Sequence, residues 1–308
     1  MAIKYDNVIV FGPTGAVGRA VSQEAAKRGA KVTLAMRDPS KKIPGLDEQQ
    51  GKFERIKADL GDVASVESAI RQSGAKAAFF YQIHGTGDGM RSVIETMKTA
   101  GVEYVVFLSS FTIFPEEDPH DVSRERLIPY LHASIEATID DLGLASTMLR
   151  PGAFAYNIFH QDVDRSSDVW KAEIPESDRK ADCIVPKDIG RVGGAVLVDR
   201  PAEGQKEIVY LYGPALLTRE DMIATIGKVS GKQISTTVQS TDDHIKSMVA
   251  RGLPEIAAKY LCKADNGQLH DRYYADGRHE EGWENIKKYS GYEPTSFETF
   301  VDEYLAEN

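Results

Sequence analysis

Residues 8–18, Val8-Ile-Val-Phe-Gly-Pro-Thr-Gly-Ala-Val-Gly18, decide the fold. Val8 to Phe11 is an unbroken apolar run, the pattern of a strand buried on both faces of a parallel sheet. Glycines follow at 12, 15 and 18, and a helical segment, Ala16 to Arg28, is closed by Gly29. Gly12 would let the chain turn sharply out of the strand. Gly15 would let backbone N–H groups approach a pyrophosphate at a helix N-terminus, and Gly18 would let that helix pack closely on the sheet. A glycine triplet alone often means only a turn. Strand, loop and helix in this order predict a dinucleotide site.

Outward from this stretch, strand-like and helical segments alternate. Lys31–Met36, Phe53–Ala58, Ala75–Ile83, Val102–Leu108 and Ser146–Leu149 read as strands, the last stopped by Pro151. Val63–Gln72, Gly89–Thr99 and Ile128–Leu142 have helical spacing. This order predicts an α/β fold with a Rossmann-type, doubly wound parallel sheet and ligands at the carboxyl ends of its strands. Residues 1–151 are expected to form the cofactor-binding domain, with some later segments returning to it. Residues 152–308 are expected to form a smaller, mostly helical lobe over the sheet's carboxyl edge. Within it, Pro186–Val198 and Thr218–Val229 read as helices and Glu207–Tyr212 as a strand. Thr218 is the expected N-cap of its helix, with Asp221 three residues on. The stretches His244–Leu261, Gly267–Tyr289 and Ser296–Leu305 look helical. The cleft between the lobes is the default substrate site.

Composition narrows the function classes. A formal charge of −10 argues against a nucleic-acid partner, which needs a basic surface. No stretch approaches the roughly 20 apolar residues of a membrane span. Met1–Asp6 leads into the first strand without a signal-peptide core. Cys183 and Cys262 form no metal-type spacing and read as reduced thiols, which fits a cytoplasmic protein that binds no metal.

The second strand ends Ala35-Met36-Arg37-Asp38, followed by Lys41 and Lys42. An NAD enzyme places an acid here for the adenosine ribose. Arg37 could instead grip a 2′-phosphate through two hydrogen bonds and stack on adenine, with Lys41 adding a second charge. That pattern favours NADP(H) over NAD(H), with Asp38 keeping NAD(H) open and a solvated basic turn as the bland alternative. Asp59 is placed to meet the adenine amino group or to cap the helix from Val63.

These motifs, together with Ala58-Asp-Leu-Gly-Asp62, Phe107-Leu-Ser-Ser110, Leu149-Arg-Pro-Gly-Ala-Phe-Ala-Tyr-Asn157 and Pro186-Lys-Asp-Ile-Gly-Arg191, come in an order that resembles the NmrA-like family. These are atypical short-chain dehydrogenase/reductase relatives. The resemblance covers nearly the whole chain and implies an NADP(H)-binding Rossmann domain with a small C-terminal lobe. It implies cofactor contacts from Gly12, Thr14, Gly15, Ala16, Val17, Gly18, Arg37 and Lys41, with Asp59 and Leu60 by the adenine. Tyr81 and Gln82 would lie beside the nicotinamide ribose, and Ser109, Pro151 and Phe154 would border the nicotinamide.

Related dehydrogenases carry a Tyr-x-x-x-Lys pair on the helix after the fifth strand. Here the spacing gives Tyr130 and Ser134, and no lysine occurs between Lys98 and Lys171. Without that ammonium, Tyr130 keeps a phenol pKa of about 10 and is a poor base. His132 and Glu136 share a helix face and are expected to form a hydrogen-bonded pair, as an acid or as a surface pair without chemistry. Ser110 is expected to bind a substrate carbonyl or to cap its strand. The candidate catalytic residues are therefore His132, Tyr130 and Ser110. His84, Phe111, Tyr156, Asn157 and Trp170 are expected at the substrate cleft, within an aromatic-rich set that also holds Phe114, Phe154 and Phe159. The loop Gly85–Gly89 could serve as a lid. His279-Glu280-Glu281 and Lys187-Asp188 read as solvated charge.

Three functions fit. The first is an NADP(H)-dependent oxidoreductase acting on a small apolar or aromatic carbonyl, quinone or imine. The second is a non-catalytic redox sensor whose cofactor state is read by a partner protein. The third is an enzyme that uses the cofactor in a rearrangement or cyclisation.

Overall fold

A computed structural model describes residues 4–46, 53–83, 85, 88–176, 178–200, 205–265 and 268–307. The first half runs β1 (Asn7–Phe11), α1 (Ala16–Lys27), β2 (Lys31–Met36), β3 (Phe53–Lys57), α2 (Val63–Ser73), β4 (Ala77–Tyr81), α3 (Arg91–Ala100), β5 (Tyr104–Leu108), α4 (Leu127–Asp141) and β6 (Ala145–Pro151). The second half continues with α5 (Asn157–Gln161), β7 (Val163–Asp164), β8 (Trp170–Pro175), β9 (Ala181–Asp182), α6 (Pro186–Val198), β10 (Lys206–Leu211) and β11 (Leu216–Leu217). It ends α7 (Arg219–Ser230), β12 (Ile234–Gln239), α8 (Thr241–Ala250), α9 (Glu255–Asp265), α10 (Gln268–Tyr274), α11 (Arg278–Ser290) and α12 (Phe297–Glu307).

Seven strands form one sheet in the order β10-β6-β5-β4-β1-β2-β3, and every pairing in it is parallel. The order reverses between β1 and β4, where Val10 faces Leu34 on one side and Phe79 on the other. This is the switch point of a doubly wound Rossmann-type fold, and it opens a crevice at the carboxyl ends of the strands. Side-chain alternation explains the two cores. Val8, Val10, Val32 and Leu34 pack under α1 and α6, while Ile9, Phe11, Phe80 and Phe107 pack under α2, α3 and α4.

Two later segments complete this sheet: β10 adds the strand beyond β6, and α6 lies along α1. The α1–α6 contact is made through glycine. A Cβ on Gly190 would collide with that of Ala20, and one on Gly194 would lie 2.6 Å from Glu24 Cβ and 2.7 Å from the Val21 carbonyl oxygen. Glycine inside a helix usually destabilises it, and here close packing offsets that cost.

The remaining elements are mostly helical and also hold two small sheets. β7, β8 and β12 form a three-stranded sheet, and β9 pairs with β11. The polar run of β12, Ser235-Thr-Thr-Val238, has too little apolar alternation to mark a strand in sequence. Helix 244–261 is in fact two helices, broken at Gly252-Leu253-Pro254, and 267–289 is also two, broken before Gly277. The Thr218 cap is a full capping box, with Asp221 reciprocating. Among the described residues no helix is long and apolar enough to cross a membrane.

Gly194→Leu should overpack the α1–α6 interface and destabilise the fold by about 1–3 kcal/mol. A lower urea midpoint with an unchanged slope is the expected result.

Candidate functional site at the carboxyl edge of the sheet

Gly12 leaves β1 with φ +73°, and its N–H donates to the Ala35 carbonyl at 3.2 Å. A Cβ here would collide with the Tyr81 ring, and one on Gly18 would collide with the Gly12 carbonyl oxygen. The chain therefore doubles back at backbone contact distance, and α1 starts directly against the end of β1. Its N-cap, Gly15, supplies no side-chain acceptor for the first-turn N–H groups. Thr14, Gly15 and Ala16 are exposed, while Val17 and Gly18 are buried beneath them. This cradle fits an anion, because it combines open N–H donors with the positive end of a helix dipole.

Beside it stands the turn after β2, where Arg37 and Lys41 are exposed. Asp38 accepts from the Ser40 hydroxyl at 2.6 Å and the Ser40 N–H at 3.0 Å, and these bonds hold its carboxyl below the usual range. The acid is thus engaged inside its own turn. Arg55, from β3, braces the same turn by donating to the carbonyls of Pro39 at 3.1 Å and Lys41 at 2.8 Å. Only the turn signals were legible in sequence; the brace crosses from another strand. Asp59 accepts from Gly61 N–H at 2.9 Å and is exposed, with Leu60 buried beside it. The cap of α2 is Asp62, which accepts from Ala64 and Ser65, so the capping alternative for Asp59 is corrected. Tyr81 remains 37% exposed. Burial raises its phenol pKa, opposed by Arg37 and reinforced by Asp59, which places all three at one corner. Gln82 donates to the Ile83 carbonyl at 2.9 Å.

At the other end of the crevice, β5 runs into Ser109 and Ser110, both buried. The Ser109 hydroxyl donates to Glu136 at 2.5 Å. Glu136 is also held by both arms of Arg150, at 3.0 and 2.7 Å, with Lys206 at 3.7 Å. Arg150 is 1% exposed and donates in addition to Tyr210 Oη at 2.7 Å and the Ile113 carbonyl at 3.2 Å. Burial alone would raise the Glu136 pKa; Arg150, Ser109 and Lys206 outweigh it and hold the carboxylate below its usual range. The expected His132–Glu136 pair is therefore corrected: Glu136 turns inward to Arg150. His132 donates from Nδ1 to the Ile128 carbonyl at 2.9 Å. A buried arginine one residue before Pro151 carries no sequence signal of its partner, which sits on a different element. Ser110 Oγ lies 2.8 Å from Thr112 Oγ1. Tyr130 packs on the cluster of Ile113, Val122 and Ala133, and Ser134 donates to the Leu131 carbonyl at 3.0 Å.

The cleft residues divide. Phe111 continues the sheet edge, its N–H donating to the Pro151 carbonyl at 3.1 Å. Its ring meets Tyr273 at 4.8 Å, Tyr212 at 6.0 Å and Tyr274 at 6.2 Å. Phe154 and Tyr156 meet edge to face at 5.4 Å, and the Asn157 N–H donates to the Phe154 carbonyl at 2.9 Å. Trp170 belongs to a separate core with Phe159 and Ile226 and lines an open groove with Arg165, Val229 and Leu305. His84 lies outside the described residues, as do Thr86 and Gly87 of the expected lid.

Two residues read as solvated charge are buried. Asp188 accepts from Thr295 N–H at 2.7 Å, Thr295 Oγ1 at 2.9 Å and Arg191 at 2.9 Å. His279 donates from Nε2 to the Gly213 carbonyl at 2.9 Å. Next to it lies Asp182, which sequence reasoning passed over. It accepts from Ala153 N–H at 2.9 Å, Gly213 N–H at 3.1 Å and Tyr274 Oη at 3.0 Å. Burial, only partly opposed by these bonds, pushes its carboxyl pKa up to about 6. Asp182 ties the ends of β6 and β10 to α10 beneath the aromatic set.

Architecture and edge together define a Rossmann-type α/β protein with an anion cradle at its switch point. The chain belongs to the NmrA-like family, whose sequence profile matches residues 4–305. It is 32% identical to the nitrogen metabolite regulation-like protein bik4 of Gibberella fujikuroi, covering 96% of each chain. It superposes on the NADPH-dependent quinone oxidoreductase of Escherichia coli complexed with NADPH, with a TM-score of 0.73 at 21% identity, over 97% of this chain and 99% of that one. It also superposes on NmrA, a negative transcriptional regulator, with a TM-score of 0.72 at 14% identity, over 98% and 96%.

Arg150→Met should leave Glu136 as a buried charge without its main partner and destabilise the protein by about 3–5 kcal/mol, measured by chemical denaturation at neutral pH. For Asp182 the folded pKa of about 6 lies above the unfolded value of about 3.9. The native state thus binds the extra proton, and this group's contribution to stability falls as pH rises from 4 to 6, by on the order of 2 kcal/mol. Asp182→Asn should flatten that slope in urea titrations across the window.

Proposed function

We propose that this chain is an NADP(H)-dependent oxidoreductase that reduces a small apolar or aromatic carbonyl, quinone or imine. The observation that carries the reading is the turn after β2: Asp38 is engaged by Ser40, while Arg37 and Lys41 stand exposed on a turn braced by Arg55. A 2′-phosphate suits that surface better than a ribose hydroxyl does. The first-turn N–H groups at Thr14 to Val17 would take the pyrophosphate, with Gly12 and Gly18 shaping the cradle. Asp59 and Leu60 would face the adenine, Tyr81 and Gln82 the second ribose, and Ser109, Pro151 and Phe154 the nicotinamide. The cofactor supplies a hydride when bound. Support also comes from relatives named as quinone and triphenylmethane reductases, solved with NADPH or NADP(H).

The protein's own share is to position and exclude water. Phe111, with Tyr273 and Tyr274 behind it, offers a flat apolar wall for a planar substrate. His132 is the proposed proton source. Its Nδ1–H is engaged with Ile128, so Nε2 carries a transferable proton only in the imidazolium form. Tyr130 and Ser110 are secondary candidates, their positions taken up by a small core and by the Thr112 contact.

A redox-sensing role is the second reading, favoured by the identity with a regulation-like protein and by serine at position 134 in place of lysine. Steady NADPH oxidation across a quinone and imine panel is the result expected of the enzyme. Tight binding with no turnover, and different affinities for the two cofactor forms, would transfer the protein to the sensor reading. Arg37→Ala should weaken NADPH binding by about 10–100-fold and leave NADH binding nearly unchanged, as measured by fluorescence titration.

A further inference from the structure

β12 is the outer strand of the three-stranded sheet, with β8 as its neighbour. Its four central residues, Ser235 to Val238, are all exposed, and Val238 is 55% exposed. Successive strand residues point to opposite faces, so the centre of the strand is bare on both faces as well as along its outer backbone edge among the described residues, while Ile234 packs on the core beneath and Gln239 bonds to Ser247 of α8. Natural edge strands are protected by charge, proline or a bulge, because unpaired N–H and C=O groups template further pairing. Ile234-Ser-Thr-Thr-Val-Gln239 has no charge and no proline, and its six residues pair in unbroken register with Trp170–Pro175.

We propose that β12 pairs antiparallel with β12 of a second copy of this chain, joining two three-stranded sheets into one of six strands. Charge selects the occupant. The strand is flanked by exposed Lys232 on one side and by exposed Asp242 and Asp243 on the other. In the two-fold register that pairs all six residues, Thr236 faces Thr237 of the other copy, and Lys232 comes to the end where the other chain turns into α8, whose first turn carries Asp242. Each interface therefore carries complementary charges at its two ends and uncharged, β-branched residues at its centre. A peptide of arbitrary sequence gains the backbone bonds but not the paired ends. A six-residue strand contact is small, so the association is reversible and concentration-dependent.

Sedimentation velocity of the full chain over a concentration series reaching roughly 100 μM tests this. The expected result is a dimer fraction that rises with concentration. The double variant T236K/V238K places charge on the strand without touching the β8 pairing, and should sediment as a monomer with an unchanged thermal midpoint. K232E should weaken the dimer and K232E/D242K should restore it. A wild-type chain that stays monomeric throughout, or a dimer that T236K/V238K leaves intact, would overturn the proposal.

Discussion

The carbonyl oxygen of Gly12 lies where a Cβ on residue 18 would have to sit, and the carboxyl edge is organised around that contact. It sets α1 against the end of β1, aims the first-turn N–H groups at the crevice, and leaves the Tyr81 ring against the turn. Glycine extends the same logic outward. Gly190 and Gly194 bring α6 onto α1 at backbone range, so a helix from the second half of the chain fixes the orientation of the helix that forms the cradle. An anion site built from backbone dipoles works only if those dipoles are held still.

Buried charge organises the other end of the crevice. Arg150 and Glu136 neutralise each other where β5, β6 and α4 meet, and Ser109 is drawn into that pair rather than toward the cleft. Asp182 ties two strand ends to α10 by accepting three hydrogen bonds. Both groups are expensive to strand without partners, which makes them determinants of edge geometry more than of stability. Arg150 also meets the Tyr210 ring and Asp182 the Tyr274 hydroxyl, so both charges anchor the aromatic set at this edge.

Much of this was legible in the sequence because its signals are local. The apolar run Val8–Phe11, the spacing of Gly12, Gly15 and Gly18, the Thr218 cap and the basic turn at Arg37 each lie within one short segment. What escaped depends on distant partners. Asp188 and His279 look like surface charge until Thr295 and Gly213 are brought to them by the fold. Arg150 finds Glu136 across a helix and a strand, and His132, one turn from Glu136, loses it to that arginine. The strand β12 escaped because a polar, half-paired edge has no period-two pattern to read, whereas β8, paired on both sides, carries a short alternation, Trp170-Lys-Ala-Glu-Ile174, that only its partners complete.

We propose that Arg37 and Lys41 hold the 2′-phosphate of a dinucleotide at this edge. Calorimetric titration with adenosine 2′,5′-bisphosphate and, separately, adenosine 5′-monophosphate isolates that contact from any chemistry. Binding of the bisphosphate about tenfold or more tighter, with the advantage shrinking as salt rises, is the predicted result. Equal affinities for the two fragments at low salt would contradict it.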